Sequence, residues 1–178
     1  MAIQFIESER FYLRELSPSD ATIDYLNWIK ESNYDFIVSA NKNFSIFLLK
    51  EYIQEKKSRE SILFFGIFLK NSAKHIGNLK YENLNSFKGE ASMGILIGEE
   101  CWRGKGVAVE VIYASSKWLY HHLDIKKILL GVNIKNTKAI KVYKKIGFVV
   151  VNKNISPEGF IFNMEWEISS NRSLDILT

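Results

Sequence analysis

The sequence predicts one domain of the mixed α/β (α+β) class, in which a single sheet of about six or seven strands carries about four helices on its two faces. Two observations lead to this prediction. The 178 residues are 47% hydrophobic and 25% charged, the composition of a soluble domain with a substantial core. Strand-like segments come first as neighbours and later alternate with helix-like segments, an order typical of mixed sheets. With only two prolines and ten glycines there is no long linker, so we expect residues 1–178 to form one domain.

The N-terminal third predicts one strand and two helices. Residues 11–16 alternate apolar and polar side chains, as a strand with one buried face does. Ser17 can cap a helix that begins at Pro18, and the helical spacing of the apolar residues extends this helix to about residue 30. Leu48, Leu49, Tyr52 and Ile53 recur at helical spacing and predict a second helix at about 45–59.

The remaining elements follow from apolar runs and turn residues. A continuous apolar run without polar interruption is typical of a central strand, whereas apolar residues at intervals of three and four indicate a helix. The sequence predicts strands at 62–69, 75–84, 91–97, 128–133, 149–154 and 160–168, helices at 106–123 and 137–146, a loop at 85–89 and a turn at 156–159.

Composition excludes several classes of protein. The single cysteine, Cys101, excludes an internal disulfide framework and a multi-cysteine zinc site, so we expect no metal. No run of about 18 apolar residues is present, so no membrane span is predicted. The first residues lack the basic start and long apolar run of a signal peptide. We therefore expect a soluble cytoplasmic protein.

Positive charge is concentrated near the C-terminus. The net charge is +4, and residues 125–157 contain eight lysines and no aspartate or glutamate. Such a run is often a solvated helix face. It can equally form a surface that meets phosphates.

A glycine-bearing turn at residues 103–108 is the most informative segment. It follows a predicted strand and opens a predicted helix. The first N–H groups of a helix have no intrahelical acceptor, and the helix dipole adds partial positive charge, so phosphate oxygens suit this position. The alternative is an ordinary tight turn in which glycine only supplies unusual backbone angles.

Two common phosphate-binding motifs do not fit this turn. The nucleoside-triphosphate loop requires Ser or Thr after its lysine, but Lys105 is followed by Gly106. The dinucleotide fingerprint requires a third glycine, and that position holds Val109.

A third pattern does fit. Arg103 to Ala108 matches Arg/Gln-x-x-Gly-x-Gly/Ala, and an Asn stands seven residues before a Tyr, followed by Gly147-Phe148. With the opening segment at 11–21, these motifs resemble the GNAT superfamily of N-acetyltransferases, in the branch of ribosomal-protein N-terminal and nucleotide-amino-sugar acetyltransferases. The resemblance covers about residues 10–168, which would be the core of the domain. Asn136 and Tyr143 are two helical turns apart, so they share one face of their helix.

The resemblance implies a twisted sheet whose two central parallel strands, 91–97 and 127–133, splay apart to admit acetyl-CoA. By this resemblance the cofactor contacts main-chain groups of the first strand, its diphosphate meets the amides of the turn, and lysines screen its phosphates. The implied cofactor-binding residues are Ile95, Leu96, Ile97, Arg103, Gly104, Lys105, Gly106, Val107, Ala108, Asn136, Lys138 and Tyr143.

Catalysis by this family implies direct acetyl transfer to an amine, with Tyr143 as the general acid for the leaving thiolate. The base is open. Where several relatives carry glutamate, this chain has Ser92, which is too weak a base to act alone. Glu82 and Glu90 are the candidates, directly or through a water. A member that binds CoA but lacks a base is a further alternative.

Of the components of the expected reaction, the acceptor substrate is the least defined by the sequence. The two N-terminal helices and the hairpin loops would wall its pocket, with Trp28, Tyr34, Phe36 and Phe87 as aromatic surface and Ser92 and Glu90 near the amine. The segment 25–28 resembles members that acetylate nucleotide-linked amino sugars, which favours a small-molecule primary amine. A peptide N-terminus is the alternative acceptor. A basic nucleic-acid-binding module is the non-enzymatic alternative, although we do not expect a nucleic-acid partner. The sequence does not decide whether the protein forms a homodimer.

Overall fold

The strands form one mixed sheet. The structure is a computed structural model that describes residues 5–31, 45–84, 87–156 and 159–168. Within these residues the sheet has eight strands in the order β1-β2-β3-β4-β5-β6-β8-β7. They are β1 (Ile6–Glu7), β2 (Phe11–Glu15), β3 (Leu63–Leu69), β4 (His75–Glu82), β5 (Glu90–Ile97), β6 (Lys127–Asn133), β7 (Val149–Ser156) and β8 (Gly159–Glu167).

The predicted fold class is confirmed, with one more strand than expected. The additional strand is β1, whose two residues pair with Tyr12 and Leu13 of β2. Two residues are too few to show an alternating pattern, so this strand could not be predicted from the sequence.

One strand pair in the middle of the sheet is parallel and incomplete. Along the described chain all other pairs are antiparallel, whereas β5 and β6 run parallel and pair only from Glu90 to Ser92 with residues 127–129. Beyond Ser92, β5 remains paired with β4, and β6 remains paired with β8. The two strands therefore diverge from Met93 onward, which opens a gap in the sheet.

In the described part of the chain, four helices cover the two faces of the sheet. They are α1 (Ile23–Glu31), α2 (Ile46–Lys57), α3 (Val107–Leu123) and α4 (Thr137–Ile146). A first core cluster includes Val111, Ile112 and Leu119 of α3 together with β4, β5 and β6. A second cluster, on the opposite face, joins α1 and α2 to Phe64, Phe68 and Leu96.

The predicted helix at 17–30 is wrong in its first part. Residues Pro18–Asp20 form a 3-10 turn, Ala21 is extended (φ −71°, ψ 91°), and α1 begins only at Ile23. The capping bond from the Ser17 N–H to the Asp20 carboxylate is present (2.8 Å), and the Arg14 guanidinium donates to the same carboxylate (2.6 and 2.9 Å). The Ala21 N–H, however, donates to the Pro18 carbonyl in the i to i−3 pattern of a 3-10 turn, and the chain leaves the helical conformation there.

Candidate active site

A cleft lies where β5 and β6 separate. Its volume is about 280 Å3, and it opens on the face of the sheet that carries α1 and α2. Residues from six strands or helices and from one loop line it: Tyr52, Phe64, Asn78, Lys80, Glu82, Ser92, Met93, Gly94, Ile95, Gly131, Val132, Asn133, Asn136 and Tyr143.

Two glycines widen the gap between the diverging strands. A Cβ atom at Gly94 of β5 would have no neighbour within 4 Å, and one at Gly131 of β6 would make only ordinary contacts with β8. Both glycines are exposed although they stand in the middle of otherwise buried strands. Glycine inside a strand commonly marks a place where a ligand approaches the backbone.

The main chain of β5 offers hydrogen-bonding groups to the gap. The Gly98 N–H donates to the Ile76 carbonyl at 2.9 Å, which fixes the alternation of bonds between β4 and β5. Leu96 therefore directs its main-chain groups at β4, and its side chain lies in the second core cluster. Ile95 and Ile97 direct their main-chain groups toward the gap, and the Ile97 carbonyl accepts from Arg103 Nε at 3.0 Å.

The glycine turn opens α3 as the sequence predicts. Gly104 and Gly106 have φ of +75° and +76°, and α3 begins at Val107. A Cβ atom at Gly104 would have open space around it, so its backbone angle, rather than crowding, requires glycine. The first amides of α3 lack intrahelical acceptors, and Arg103 ties the turn to the end of β5.

The basic side chains near this turn have different roles. Arg103 donates from Nη2 to the Gly98 carbonyl at 2.9 Å as well as to Ile97, so it fastens the turn to β5. Lys105 is exposed and lies over the Trp102 ring at 5.4 Å. Lys138 is exposed in the first turn of α4 and does not line the cleft. Val107 is buried and Ala108 is half-buried, so this part of the turn can offer main-chain groups only.

Helix α4 brings Asn136 and Tyr143 to the cleft. The Asn136 Oδ1 accepts the Ala139 N–H at 3.1 Å and caps the helix. Tyr143 lies two turns further on the same face, half-buried, with its ring 5.7 Å from that of Phe148. Both line the cleft, which agrees with their expected shared orientation.

A chain of polar contacts crosses the α2 side of the cleft. Lys80 Nζ donates to the Tyr52 hydroxyl at 3.3 Å and lies 3.1 Å from Glu82 Oε1. Burial raises the pKa of Tyr52 to about 12, so this hydroxyl is protonated at neutral pH. Among the described lining residues, Glu82 supplies the only carboxylate.

The other acceptor-side candidates are placed less centrally. Ser92 lies beside Glu82 in the cleft, and its Oγ accepts from Asn83 Nδ2 at 3.2 Å. Glu90 lies where β5 and β6 are still paired, outside the cleft lining and 3.9 Å from Lys127 Nζ.

Trp28 lies in the core rather than on the cleft wall. It is 6% exposed, it contacts the rings of Tyr25 and His75, and it packs so closely on Gly98 that a Cβ there would be 2.0 Å from the indole. Phe87 is fully exposed and does not line the cleft. Tyr34 and Phe36 lie outside the described residues.

Several lining residues were not found from the sequence. Gly131 did carry a signal, since glycine interrupts an apolar strand there. Tyr52, Asn78 and Lys80 carried none, because only the packing of α2 on the sheet brings them together.

The described part of the chain contains neither a metal-ligand cluster nor a membrane-spanning helix. Among these residues no group of three or more His, Cys, Asp or Glu side chains is arranged to hold a metal ion. No helix in the described segments has the length and apolar character needed to cross a membrane.

Comparison with known proteins gives the family. Residues 10–149 match the acetyltransferase (GNAT) domain. An uncharacterised N-acetyltransferase of Bacillus subtilis, YokL, derived from the SPbeta prophage, is 24% identical over 179 residues, which cover 94% of this chain and 96% of that relative. The protein therefore belongs to the GNAT superfamily, and it is an acyltransferase of the N-acetyltransferase class. Members of this superfamily use acetyl-CoA as co-substrate.

Solved structures share the fold. The ribosomal-protein-S5-alanine acetyltransferase of Vibrio fischeri has a TM-score of 0.76 at 17% identity, over 96% of this chain and 100% of that one. The spermidine/spermine N-acetyltransferase SpeG of Vibrio cholerae, in complex with manganese ions, has a TM-score of 0.71 at 20% identity, over 89% and 92%. At such identities the likeness concerns the fold alone.

Proposed function

We propose that the protein transfers the acetyl group of acetyl-CoA directly to the primary amine of a small molecule. The observation that carries this proposal is the cleft between β5 and β6, which has the carboxylate of Glu82 and the hydroxyl-bearing Tyr143 in its lining. Family membership supplies the reaction class, and the cleft supplies the groups for it.

The described residues fit the cofactor. Gly94 and Gly131 place no side chain in the gap, and Ile95 turns main-chain groups toward it. The turn from Gly104 to Ala108 offers amides at the positive end of α3, where a diphosphate is favoured. Bound acetyl-CoA would supply an activated acetyl thioester.

Glu82 and Tyr143 can perform the two proton transfers of the reaction, as general base and general acid. An alkyl ammonium has a pKa of about 10 and must lose a proton before it attacks. The Glu82 carboxylate, paired with Lys80, can hold this ammonium and accept its proton directly or through a water. Tyr143 lines the same cleft and can donate a proton to the departing thiolate. Glu90 is less suited as the base because it lies beyond the point where the gap begins.

The acceptor is proposed as a small amine because the cleft is of small-molecule size. The nucleotide-linked amino sugar finds little support, since Trp28 is buried and cannot offer its face for stacking. A peptide N-terminus is the second candidate, favoured by the similar fold of the S5-alanine acetyltransferase.

An acetyl-CoA-dependent screen tests the proposal. Amines of several kinds (nucleotide amino sugars, polyamines, amino acids and peptides) are offered with acetyl-CoA, and release of the free thiol is followed. Tyr143→Phe should slow turnover strongly and leave acetyl-CoA affinity unchanged, and Glu82→Gln should slow turnover with the same acceptor. Tyr120→Phe, at a half-buried tyrosine of α3 outside the cleft, is the matched control and should leave turnover unchanged.

Each part of the proposal can fail separately. Calorimetry that detects no uptake of acetyl-CoA at millimolar concentration contradicts the proposed reaction. Equal rates for the wild-type protein and Tyr143→Phe remove the role of Tyr143. If Glu90→Gln abolishes turnover while Glu82→Gln does not, Glu90 is the base.

A further inference from the structure

A buried carboxylate ties the N-terminal strands to the first turn of α3. Glu110 is 6% exposed, and three donors meet its two oxygens. The Ser8 hydroxyl (2.8 Å) and the Arg10 N–H (2.7 Å) donate to Oε1, and Arg10 Nε donates to Oε2 at 2.8 Å. Because burial is costly for an unpaired charge, these bonds fix the position of the Arg10 guanidinium.

The same guanidinium reaches the glycine turn. With Nε held by Glu110, Arg10 Nη2 donates to the Lys105 carbonyl at 3.0 Å. The guanidinium is also close to Gly106, where a Cβ atom would lie 3.6 Å from Nη2. Arg10 thus connects Glu110, which is buried in α3, with the main chain of the turn that precedes that helix.

This contact determines the direction of one peptide unit. The described peptide bonds are all trans, so the Lys105 carbonyl and the Gly106 N–H point in opposite directions. The carbonyl is directed toward Arg10, and the Gly106 N–H is therefore directed away from Arg10. If this peptide unit rotated, a carbonyl oxygen would take the place of a donor and would repel an anion.

We propose that Arg10 and Glu110 are positioning residues for the donor substrate: they orient the Lys105–Gly106 peptide so that its N–H group can bind the diphosphate of CoA. This rests on the proposed function, because it takes CoA as the ligand of the cleft and its adjoining turn. The role of Arg10 is geometric rather than one of charge, since Glu110 neutralises the guanidinium that holds the carbonyl.

The variant Arg10→Lys separates the geometric contribution of Arg10 from the contribution of its charge. Arg10→Lys keeps the positive charge but cannot donate to Glu110 and to the Lys105 carbonyl from one rigid plane. We expect it to weaken CoA binding about tenfold, the effect of about 1.4 kcal/mol in an oriented hydrogen bond. Glu110→Gln should act in the same direction, because its amide would face donors.

The chain contains a matched control. Arg14 and Asp20 form a second ion pair with a similarly buried carboxylate, also held by Ser17, but it fixes the 3-10 turn before α1 instead of the glycine turn. Asp20→Asn should destabilise the fold to a comparable degree and leave the affinity for CoA unchanged.

Calorimetry with CoA and chemical-shift titration with pantetheine, which lacks the diphosphate, provide the test. We expect Arg10→Lys and Glu110→Gln to weaken CoA binding and to leave pantetheine binding unchanged. Should Glu110→Gln fail to fold, the test uses Arg10→Lys and Ser8→Ala. The second of these variants removes one hydrogen bond to Glu110.

The outcomes are distinguishable. Wild-type affinity for CoA in Arg10→Lys overturns the positioning role, as does an equal loss for CoA and pantetheine, which would indicate a purely structural role. A wild-type protein that does not bind CoA overturns the proposed function itself, and with it this inference.

Discussion

Replacement of His75 by Phe should flatten the dependence of stability on pH between 6.5 and 4. His75 begins β4 and lies among the rings of Tyr25, Trp28 and Phe68. Its Nε2 is 2.8 Å from the Gly77 carbonyl, an acceptor, so Nε2 carries the proton and donates. Its Nδ1 is buried and has no hydrogen-bond partner among the described residues.

Burial lowers the pKa of His75 to about 4, from an ordinary value of 6.5. The Gly77 carbonyl and Asp20 favour the charged form, and Arg14 opposes it, but desolvation prevails. Between these two pKa values the unfolded chain binds a proton at His75 and the folded protein does not, so acidification favours unfolding. At about 1.4 kcal/mol for each pH unit, the folded protein loses about 3 kcal/mol of unfolding free energy across this range.

Urea unfolding at pH 7, 6, 5 and 4, followed by tryptophan fluorescence, measures the effect. His75→Phe loses the bond to Gly77 at every pH, which lowers its stability by a constant amount and removes the contribution of His75 to the slope. The carboxylates titrate in both proteins, so their contribution cancels in the comparison. If the wild-type protein and His75→Phe lose equal stability between pH 6.5 and 4, His75 is not held neutral and the reasoning is refuted.

Two further predictions concern the cleft. Gly94→Leu should leave the melting temperature unchanged or raise it, because the added Cβ enters open space. It should weaken acetyl-CoA binding in calorimetry about tenfold or more, since forcing a ligand past an added side chain costs about 1–3 kcal/mol. Unaltered affinity would show that the cofactor does not bind in the gap. Asn136→Ala should lower the unfolding free energy by about 1 kcal/mol through loss of the cap on α4. Asn136→Asp keeps the cap and the stability, and weaker acetyl-CoA binding in this variant would separate a ligand contact from capping, whereas unchanged binding would leave capping as its sole role.

Features that depend on near neighbours in the chain were predicted well. The cap at Asn136, the start of α3 after Gly106 and the bounds of α4 all agree with the structure, because capping and left-handed backbone angles are decided within a few residues. The exception is the helix predicted from Ser17, where the capping pattern is present but the chain makes a single 3-10 turn and becomes extended at Ala21.

Features that depend on contacts between distant segments could not be predicted from the sequence. Trp28 is aromatic in a position suited to a pocket wall, but the packing of α1 on Gly98 buries it. Glu82 and Glu90 could not be ranked from the sequence, and the structure shows only that Glu82 lines the cleft and that Glu90 lies where β5 and β6 are still paired. Arg10 and Glu110 are a hundred residues apart, and neither belongs to a motif that indicated the other.

The sequence by itself determined the superfamily, the order of the elements and the turn that precedes α3, since these depend on local motifs and on hydrophobic periodicity. Only the tertiary structure decided which side chains share the cleft, because strand register and helix packing join residues that no short-range pattern relates. The resemblance implied a gap between the two central strands, but the residue at which they separate, after Ser92, follows from the strand registers of the folded sheet.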